Sequence, residues 1–331
     1  MTFKYDNVYL ENTSTIAGPY EKKGPLVNTF DKTFDDLYYG EKSWEMAEAK
    51  VLEDSISLLL DKSNKGKEEI DVMISGDLMN QITSSCYSNL KYNIPFVGIY
   101  SACATSVEGI IIGSNFIEGK SCNNVIVSTS SHNMSSEKQF RNPTEYGAPK
   151  PKTATFTSTG GVSMLLSNSK SSVRVESATL GRINDLGQTD PLNMGSVMAP
   201  AAADTLYKHL TDLKRSPDYY DLIVTGDLGT FGKEILIDYM REEYDVDISN
   251  NYNDCGVILY DLETQKECLA GGSGPVCSAL VNCGYILNEL RNKKIKRVLW
   301  IATGALFSPT FVYQHENILS IAHAVSLEVV E

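Results

Sequence analysis

The sequence predicts an α/β protein built from two similar halves, each a set of largely parallel strands covered by helices. Two short segments, "IDVMISGDL" from Ile70 and "YDLIVTGDL" from Tyr220, share an aspartate, an apolar run and a closing Gly-Asp-Leu. Each follows a stretch with apolar residues at helical spacing, and each precedes a second helix and strand. Continuous Val- and Ile-rich runs that alternate with helices indicate strands buried on both faces.

In the first half, the segment "SWEMAEAKVLEDSISLLLDK" predicts a long amphipathic helix with Ser43 as its N-cap. The strand that begins at Ile70 follows it. The segment "SACATSVEGIIIGSNFIEG" then reads as a small-residue turn and a buried helix, and "NVIVSTSS" as a buried strand. After this strand, the stretch from Ser130 to Gly161 is predicted to be irregular but ordered.

The second half repeats this order. The segment "APAAADTLYKHLTDL" predicts a helix that Pro217 stops, and the strand from Tyr220 follows. "GGSGPVCSALVNCGYILNEL" then predicts a turn and a buried helix, and "RVLWIATGA" a strand. Matching the two turns aligns Cys103 with Ser273. We therefore expect residues 1–170 and 171–331 to be two halves of one compact unit with pseudo-two-fold symmetry.

The composition excludes several classes of function. The chain has 331 residues, 42% of them apolar, and a net charge of −13, which argues against general nucleic-acid binding. Its seven cysteines form no CxxC pair, so neither a zinc site nor a disulfide framework is predicted. No signal-peptide core and no run of ~18 apolar residues is present. We expect a cytosolic protein with reduced thiols and no transmembrane segment.

Several longer motifs carry a family resemblance. They are spread over nearly the whole chain: "AGPYEKKGPL", "FDKTFDD", "WEMAE", "SSHN", "QFRNPTEYG", "MAPAAADT", "NDCG", "AGGSG" and "ATGALFSPT". Together with a cysteine on the strand-to-helix turn of the first half, they resemble the stage V sporulation protein AD family within the thiolase and ketoacyl-synthase superfamily. The resemblance implies two mixed five-stranded sheets in an αβαβα layered arrangement.

The resemblance also implies a role in sporulation and spore germination. That role is to bind dipicolinate (pyridine-2,6-dicarboxylate), with or without calcium as its companion, and to help move it into the developing spore. The implied partners are the other stage V sporulation A membrane proteins, at the cytoplasmic side of the forespore or spore inner membrane. Superfamily members also dimerise beside the cysteine helix, so a homodimer is expected. No cofactor is implied.

The role of Cys103 determines whether the protein is expected to bind a ligand or to catalyse acyl transfer. A cysteine at a helix N-terminus is expected to have a lowered pKa, and condensing enzymes load the acyl group there. Those enzymes also use His or Asn partners from the second half. Here the corresponding positions carry Gly226, Asp227 and Ser273. The four histidines match no catalytic position: His132, His209, His315 and His323. We therefore expect a non-catalytic binding protein, with an active acyltransferase using Cys103 and a scaffold with a vestigial pocket as the alternatives.

The binding pocket is predicted where the two halves meet, because the converging loops supply small side chains, hydroxyls and backbone N–H groups suited to an anion. The predicted ligand-binding residues are Cys103, His132, Gly272, Ser273, Gly304 and Ser308. His132 follows a strand end, so it either contacts the ligand or caps its own loop.

Other polar residues are assigned more modest roles. Arg141, Lys150 and Lys152 lie on the long loop and either neutralise a ligand carboxylate or face solvent, and Arg182 has the same two readings. Asp77 and Asp227 are expected to tie down turns, and Asp204 and His209 to cap their helix or face solvent.

Overall fold

The structure, a computed structural model, describes residues 1–140 and 149–330. Strands and helices alternate in the predicted order. The elements of the first half are β1 Thr2–Lys4, β2 Tyr9–Ala17, β3 Lys32–Thr33, α1 Trp44–Ser63, β4 Val72–Gly76, α2 Thr83–Leu90, β5 Phe96–Gly98, α3 Thr105–Glu118, β6 Asn124–Ser131, α4 Asn133–Phe140, β7 Phe156–Thr157 and β8 Gly160–Ser167.

The second half follows the same plan with small additions. Its elements are β9 Val173–Leu180, α5 Met194–Leu213, β10 Leu222–Thr225, α6 Gly229–Tyr244, β11 Tyr252–Asp254, α7 Cys255–Leu259, β12 Gly272–Ser273, α8 Pro275–Leu280, α9 Leu287–Arg291, β13 Arg297–Leu306, α10 Pro309–Tyr313 and β14 Leu319–Val329. A π-helical segment, Val281–Ile286, joins α8 to α9.

The two halves have the same sheet topology. The strand order is β2-β8-β6-β4-β5 in the first half and β9-β14-β13-β10-β11 in the second. In each half the first two pairings are antiparallel and the last two are parallel. A single residue pair, Tyr9 with Arg174, joins β2 to β9 and makes the two sheets one continuous path. The predicted α/β class with mixed five-stranded sheets is confirmed.

Helices α3 and α8 lie between the two sheets. Helix α3 contacts β4 and β6 of its own half and β13 and β14 of the other half, and it also contacts α8. Most of their apolar residues belong to the largest hydrophobic cluster, in which Ile110, Ile111 and Leu280 are completely buried. Helices α1 and α5 cover the outer faces, where α1 contacts β8 and α5 contacts β14. The result is five layers, with the two central helices beginning at the junction of the halves.

Local sequence explains the long outer helices. The Ser43 hydroxyl accepts a hydrogen bond from Met46 N at 3.2 Å, which confirms the predicted N-cap of α1. Helix α5 begins at Met194, five residues before the predicted start, and carries Pro200 in its interior. It ends at Leu213 because Lys214 adopts a left-handed conformation. Pro217 therefore lies beyond the helix and does not stop it.

The stretch predicted to be irregular between Ser130 and Gly161 is partly regular. It contains the end of β6, all of α4, the short strand β7 and the first residues of β8. The sequence does not predict helix α4, because "NMSSEKQF" is polar and lacks an apolar stripe. This helix forms one wall of the site described next.

Candidate functional site

A cavity of about 560 Å³ opens where the two halves meet. It lies beyond the carboxyl ends of parallel strands, the usual position for ligands in open α/β sheets. Residues after β4 and β10, the turns before α3 and α8, helix α4 and the end of β13 all reach it. The residues that line it include Leu78, Cys103, Asn133, Met134, Glu137, Phe140, Lys150, Leu192, Met194, Asp227, Ser273, Gly274, Phe307 and Tyr313.

Cys103 sits on a tight elbow between β5 and α3. Ala102, immediately before it, has a φ of 49°, a left-handed conformation that costs an alanine about 1 kcal/mol or more. The Thr105 hydroxyl stabilises the elbow by donating to Ala102 O at 2.7 Å and accepting from Ser101 N at 3.1 Å. The elbow projects the thiol into the cavity, as the sequence predicts.

Gly304 permits this elbow to form. A Cβ on Gly304 would overlap the carbonyl oxygen of Ser101 and lie 3.2 Å from Ala104 N. Strand β13 therefore approaches the Cys103 elbow as closely as backbone atoms allow. Gly304 is predicted as a ligand-binding residue, but the cavity lining does not include it, and its contacts give it a packing role behind Cys103.

Asp227 lies beside Cys103 at the base of the cavity. Its side chain is 1% exposed, and Oδ1 accepts a 2.5 Å hydrogen bond from the Thr303 hydroxyl. Oδ2 accepts a longer bond, 3.3 Å, from Gly274 N. The Cys103 thiol lies beside this carboxyl and interacts with it electrostatically. One carboxyl group thus connects the Cys103 elbow, the Ser273 turn and strand β13.

Both groups at the base are harder to ionise than usual. Burial raises the pKa of Asp227 to about 7, although its interactions with Cys103 and Thr303 lower it in part. Burial, and then the charge of Asp227, raise the pKa of Cys103 well above its ordinary value. The expected lowering of the Cys103 pKa by the helix N-terminus is therefore wrong. A thiol that stays protonated near neutral pH is a poor nucleophile.

Asp227 ties down a turn, but it is the Ser273 turn, through Gly274 N, and not the turn in which Asp227 itself lies. Asp254, at the end of the neighbouring strand β11, anchors that turn instead. Its carboxyl accepts from Leu228 N and Gly229 N at 2.9 and 3.0 Å, and from the Thr225 hydroxyl at 2.7 Å. Asp77, by contrast, behaves as predicted, because it accepts from Met79 N and from the backbone and hydroxyl of Ser85.

The Ser273 turn faces Cys103 across the base. Ser273 is 9% exposed and lines the cavity two residues before α8, just as Cys103 lies two residues before α3. Gly272 lies behind the surface, where a Cβ would come within 2.8 Å of Cys277 Sγ. Gly274 has a φ of 94°, and its N–H points to Asp227. The backbone donor expected to hold an anion is thus engaged by a carboxyl group of the protein.

His132 and Ser308 do not reach the cavity. Both ring nitrogens of His132 are engaged by the main chain: Nε2 lies 2.8 Å from Leu37 O, and Nδ1 accepts from Met134 N at 3.2 Å. Of the two predicted roles for His132, the structure favours the loop cap. Ser308 precedes α10 and is flanked by Phe307 and Pro309, which line the cavity, but its own side chain lies outside the lining.

The basic residues of the long loop separate into three cases. Lys150 lines the cavity and pairs with Glu137 of α4 at 2.9 Å. Lys152 is exposed and lies outside the lining. Arg141 lies outside the described residues. Arg182 is remote from the site and pairs on the surface with Asp204 at 2.6 Å.

None of the four histidines lines the cavity. His209, expected to cap its helix or face solvent, is instead completely buried between the Thr179 and Tyr220 hydroxyls, each at 2.8 Å. Burial lowers its pKa to about 3. His323 lies behind the Cys103 elbow, where burial lowers its pKa to about 4. The base of the cavity therefore holds a cysteine and an aspartate, and no imidazole that could exchange protons with a substrate.

Sequence reasoning missed the apolar walls. They are formed by Leu78, Met134, Phe140, Leu192, Met194, Phe307 and Tyr313. The rings of Phe140 and Phe307 pack edge to face with centroids 5.4 Å apart. The available signal was position, because Leu78 and Phe307 lie within two residues of the ends of strands whose carboxyl ends face the site.

Two sheets of identical topology, with a cysteine elbow where they meet, define a thiolase-like protein. The fold is similar to that of 3-oxoacyl-[acyl-carrier-protein] synthase III from Aquifex aeolicus VF5, with a TM-score of 0.54, 12% identity and 97% of each chain covered. It is also similar to a variant of OleA from Xanthomonas campestris, with a TM-score of 0.62, 13% identity and coverage of 98% of this chain and 99% of that one.

The chain belongs to the stage V sporulation protein AD family. The family model matches residues 1–328. Stage V sporulation protein AD of Bacillus subtilis (strain 168) is 44% identical over 321 residues, which cover 97% of this chain and 94% of the relative. The resemblance read from the sequence motifs is confirmed, and the chain is a sporulation protein with a thiolase-like fold.

Membrane spans and metal clusters are both absent from residues 1–140 and 149–330. Within these ranges, no helix has both the length and the apolarity needed to cross a bilayer. The same residues contain no cluster of three or more His, Cys, Asp or Glu side chains placed to hold a metal ion.

Proposed function

We propose that this protein binds dipicolinate in the cavity between its two halves, without chemical turnover, and supports the movement of dipicolinate into the developing spore. The observation that carries the proposal is that Cys103 and the buried Asp227 line the base of the cavity together. The superfamily's nucleophile position is retained, but burial, and then the charge of the acid beside it, raise the pKa of the thiol and keep it protonated. The cavity is thus retained for binding, but its thiol is not in the ionised form that acyl transfer needs.

The cavity offers what a flat dicarboxylate needs. Lys150 supplies a cation on the α4 side, and Ser273 supplies a hydroxyl at the base. The edge-to-face pair Phe140 and Phe307 gives an aromatic wall against which a pyridine ring can pack. Apolar walls with a few polar groups that fix orientation are typical of small-molecule sites.

The remaining parts of the proposal concern partners. Dipicolinate arrives with or without calcium, which is cargo and not a resident metal. Membrane proteins of the same sporulation system provide the link to the forespore or spore inner membrane. A homodimer is proposed through β5, which ends the strand path and contacts helix α2, where Tyr87 and Leu90 are exposed. Analytical ultracentrifugation of the wild type and of Leu90→Glu tests the homodimer.

Titration calorimetry tests the binding function. Dipicolinate is titrated into the full chain, with benzene-1,3-dicarboxylate as a control that keeps the carboxylate spacing but lacks the ring nitrogen. We expect saturable 1:1 binding of dipicolinate. Ser273→Ala and Lys150→Gln should each weaken it about ten- to a hundredfold, because each removes a hydrogen bond to a charged ligand. Lys152→Gln, on the same loop but outside the lining, should change affinity less than about threefold. Absence of saturable binding would contradict the proposal and favour a scaffold with a vestigial pocket.

One observation favours a second candidate function. The strained elbow that carries Cys103 is the feature expected of an acyltransferase. Incubation with acetyl-CoA followed by intact-mass measurement distinguishes the two functions. An acyl adduct at Cys103 that turns over would establish the acyltransferase, and an unmodified mass is the result expected for a binding protein.

A further inference from the structure

The base of the cavity presents an electrostatic conflict for the proposed ligand. A dicarboxylate is a dianion, yet the buried ionisable group beside Cys103 and Ser273 is itself a carboxyl group, Asp227. Two carboxylates in contact at low dielectric cannot both be ionised without a large energetic cost. The conflict disappears if one of the two carries a proton.

The surroundings of Asp227 favour a proton on this group. The ionisable groups that face it are Cys103 from the elbow before α3, Asp254 from β11, Cys255 from α7 and Cys277 from α8. Strand β13 contributes the neutral Thr303 hydroxyl, and the Ser273 turn contributes the N–H of Gly274. All of these groups are neutral or acidic. Among the described lining residues, the cation is Lys150, and it already pairs with Glu137.

The two oxygens of Asp227 are held differently. Oδ1 accepts the short 2.5 Å bond from the Thr303 hydroxyl, whereas Oδ2 receives only the longer 3.3 Å contact from Gly274 N. Oδ2 is therefore the better site for a proton. An O–H at Oδ2 can be donated to a ligand carboxylate that enters the base.

We propose that Asp227 makes ligand binding proton-coupled: a carboxylate binds at the base of the cavity when Asp227 is protonated, and Asp227 donates its O–H to that carboxylate. The inference rests on the proposed binding function. One proton is taken up from solvent when the ligand binds to the ionised form of Asp227, and it is released when the ligand leaves. Asp227 thereby selects for carboxylate ligands, because its O–H donates a hydrogen bond to the ligand at a place where other anion sites use a cation.

The sign of the pH effect follows from the position of the titration. In the protein without ligand, burial raises the pKa of Asp227 to about 7. Below that pH the group is already neutral, so affinity is full and no proton is taken up. Above it, each binding event must first protonate Asp227, and affinity falls by up to about tenfold per pH unit.

The test is a calorimetric titration of dipicolinate into the full chain between about pH 5.5 and 8.5, in pairs of buffers with different ionisation enthalpies. The ligand carboxyls are ionised throughout this range. For the wild type we expect at least about a tenfold loss of affinity between pH 6.5 and 8.5, with about half a proton taken up per ligand at pH 7. Asp227→Asn keeps a donor that cannot titrate, so its affinity should vary less than about threefold with pH and its binding should take up no proton.

The matched control is Asp77→Asn, the counterpart in the first half, which lies outside the cavity lining. It should retain the pH dependence of the wild type. Wild-type binding that is independent of pH and takes up no proton would overturn this inference while leaving the binding function intact. A persisting pH dependence in Asp227→Asn would overturn it as well. Absence of dipicolinate binding at every pH would overturn the binding function and this inference together.

Discussion

The two Gly-Asp-Leu turns have the same sequence pattern but use their aspartates differently. In the first half, Asp77 accepts hydrogen bonds from its own turn and from the start of α2. In the second half, the corresponding turn is anchored by Asp254 of the next strand, and Asp227 reaches into the cavity. A second acid has taken over the structural role, and this leaves Asp227 available at the site.

The turns that precede the central helices differ in a parallel way. The first carries Cys103 on a strained elbow, and the second carries Ser273 beside a glycine in a left-handed conformation. Both side chains face one cavity. The symmetry of the fold thus creates the site, and the departures from symmetry at Cys103 and Asp227 determine its chemistry.

The largest expected effect comes from removing the substitute anchor. Asp254→Ala should lower the free energy of unfolding by about 3–5 kcal/mol, because the Leu228, Gly229 and Gly256 amides lose a buried charged acceptor. Denaturant unfolding measures the change. Asp227→Ala should cost clearly less, since its amide contact is a single long bond. Equal losses in the two variants would contradict the division of roles between the two acids.

The pH dependence of stability should show the burial of Asp227. Its folded-state pKa of about 7 exceeds the unfolded value near 4, so the folded state binds the proton more tightly, and stability falls as the pH rises from about 4 to 7. Asp227→Asn removes this contribution. The free energy of unfolding of the variant, relative to that of the wild type, should therefore rise by about 2–4 kcal/mol between pH 4.5 and pH 8. Unfolding curves at the two pH values give the difference. A constant difference would show that Asp227 titrates normally.

A smaller effect is expected where β13 meets the cysteine elbow. Gly304→Ala should lower the free energy of unfolding by about 1–3 kcal/mol, because its Cβ would overlap the Ser101 carbonyl and push the elbow outward. Gly187→Ala is a useful comparison, since nothing lies within 4 Å of its Cβ and only its positive φ opposes the change. Thermal unfolding of both variants separates the steric cost from conformational strain.

The smallest effect concerns thiol reactivity. Asp227→Asn removes the nearby negative charge that helps to raise the pKa of Cys103. Alkylation of Cys103 by iodoacetamide at pH 8 should therefore accelerate about tenfold, because a lower pKa gives more thiolate. Peptide mass spectrometry follows each cysteine separately, and the exposed Cys86 serves as the internal control with an unchanged rate. No acceleration at Cys103 would contradict the coupling of thiol and carboxyl.

Much of this fold follows from the sequence alone. The repeated apolar runs predict the strands and their order, because strands buried on both faces appear in the sequence as continuous runs rich in Val and Ile. The placement of Cys103 and Ser273 at helix starts follows from the small-residue turns. The role of Asp227 does not, because the repeat makes it equivalent to Asp77, and only the three-dimensional contact with Cys103 reveals the difference. The prediction for His132 and Ser308 rests on their positions after strands, but a position does not determine where a side chain points.

A crystal structure of the full chain grown with dipicolinate at about pH 6, below the pKa of Asp227, tests the central claim most directly. We expect the ligand in the cavity between the halves, with one carboxylate within hydrogen-bond distance of both Asp227 and Ser273, its ring against the Phe140 and Phe307 wall, and the Cys103 sulfur unmodified. Dipicolinate bound only outside this cavity, or a covalent adduct on Cys103, would contradict the account.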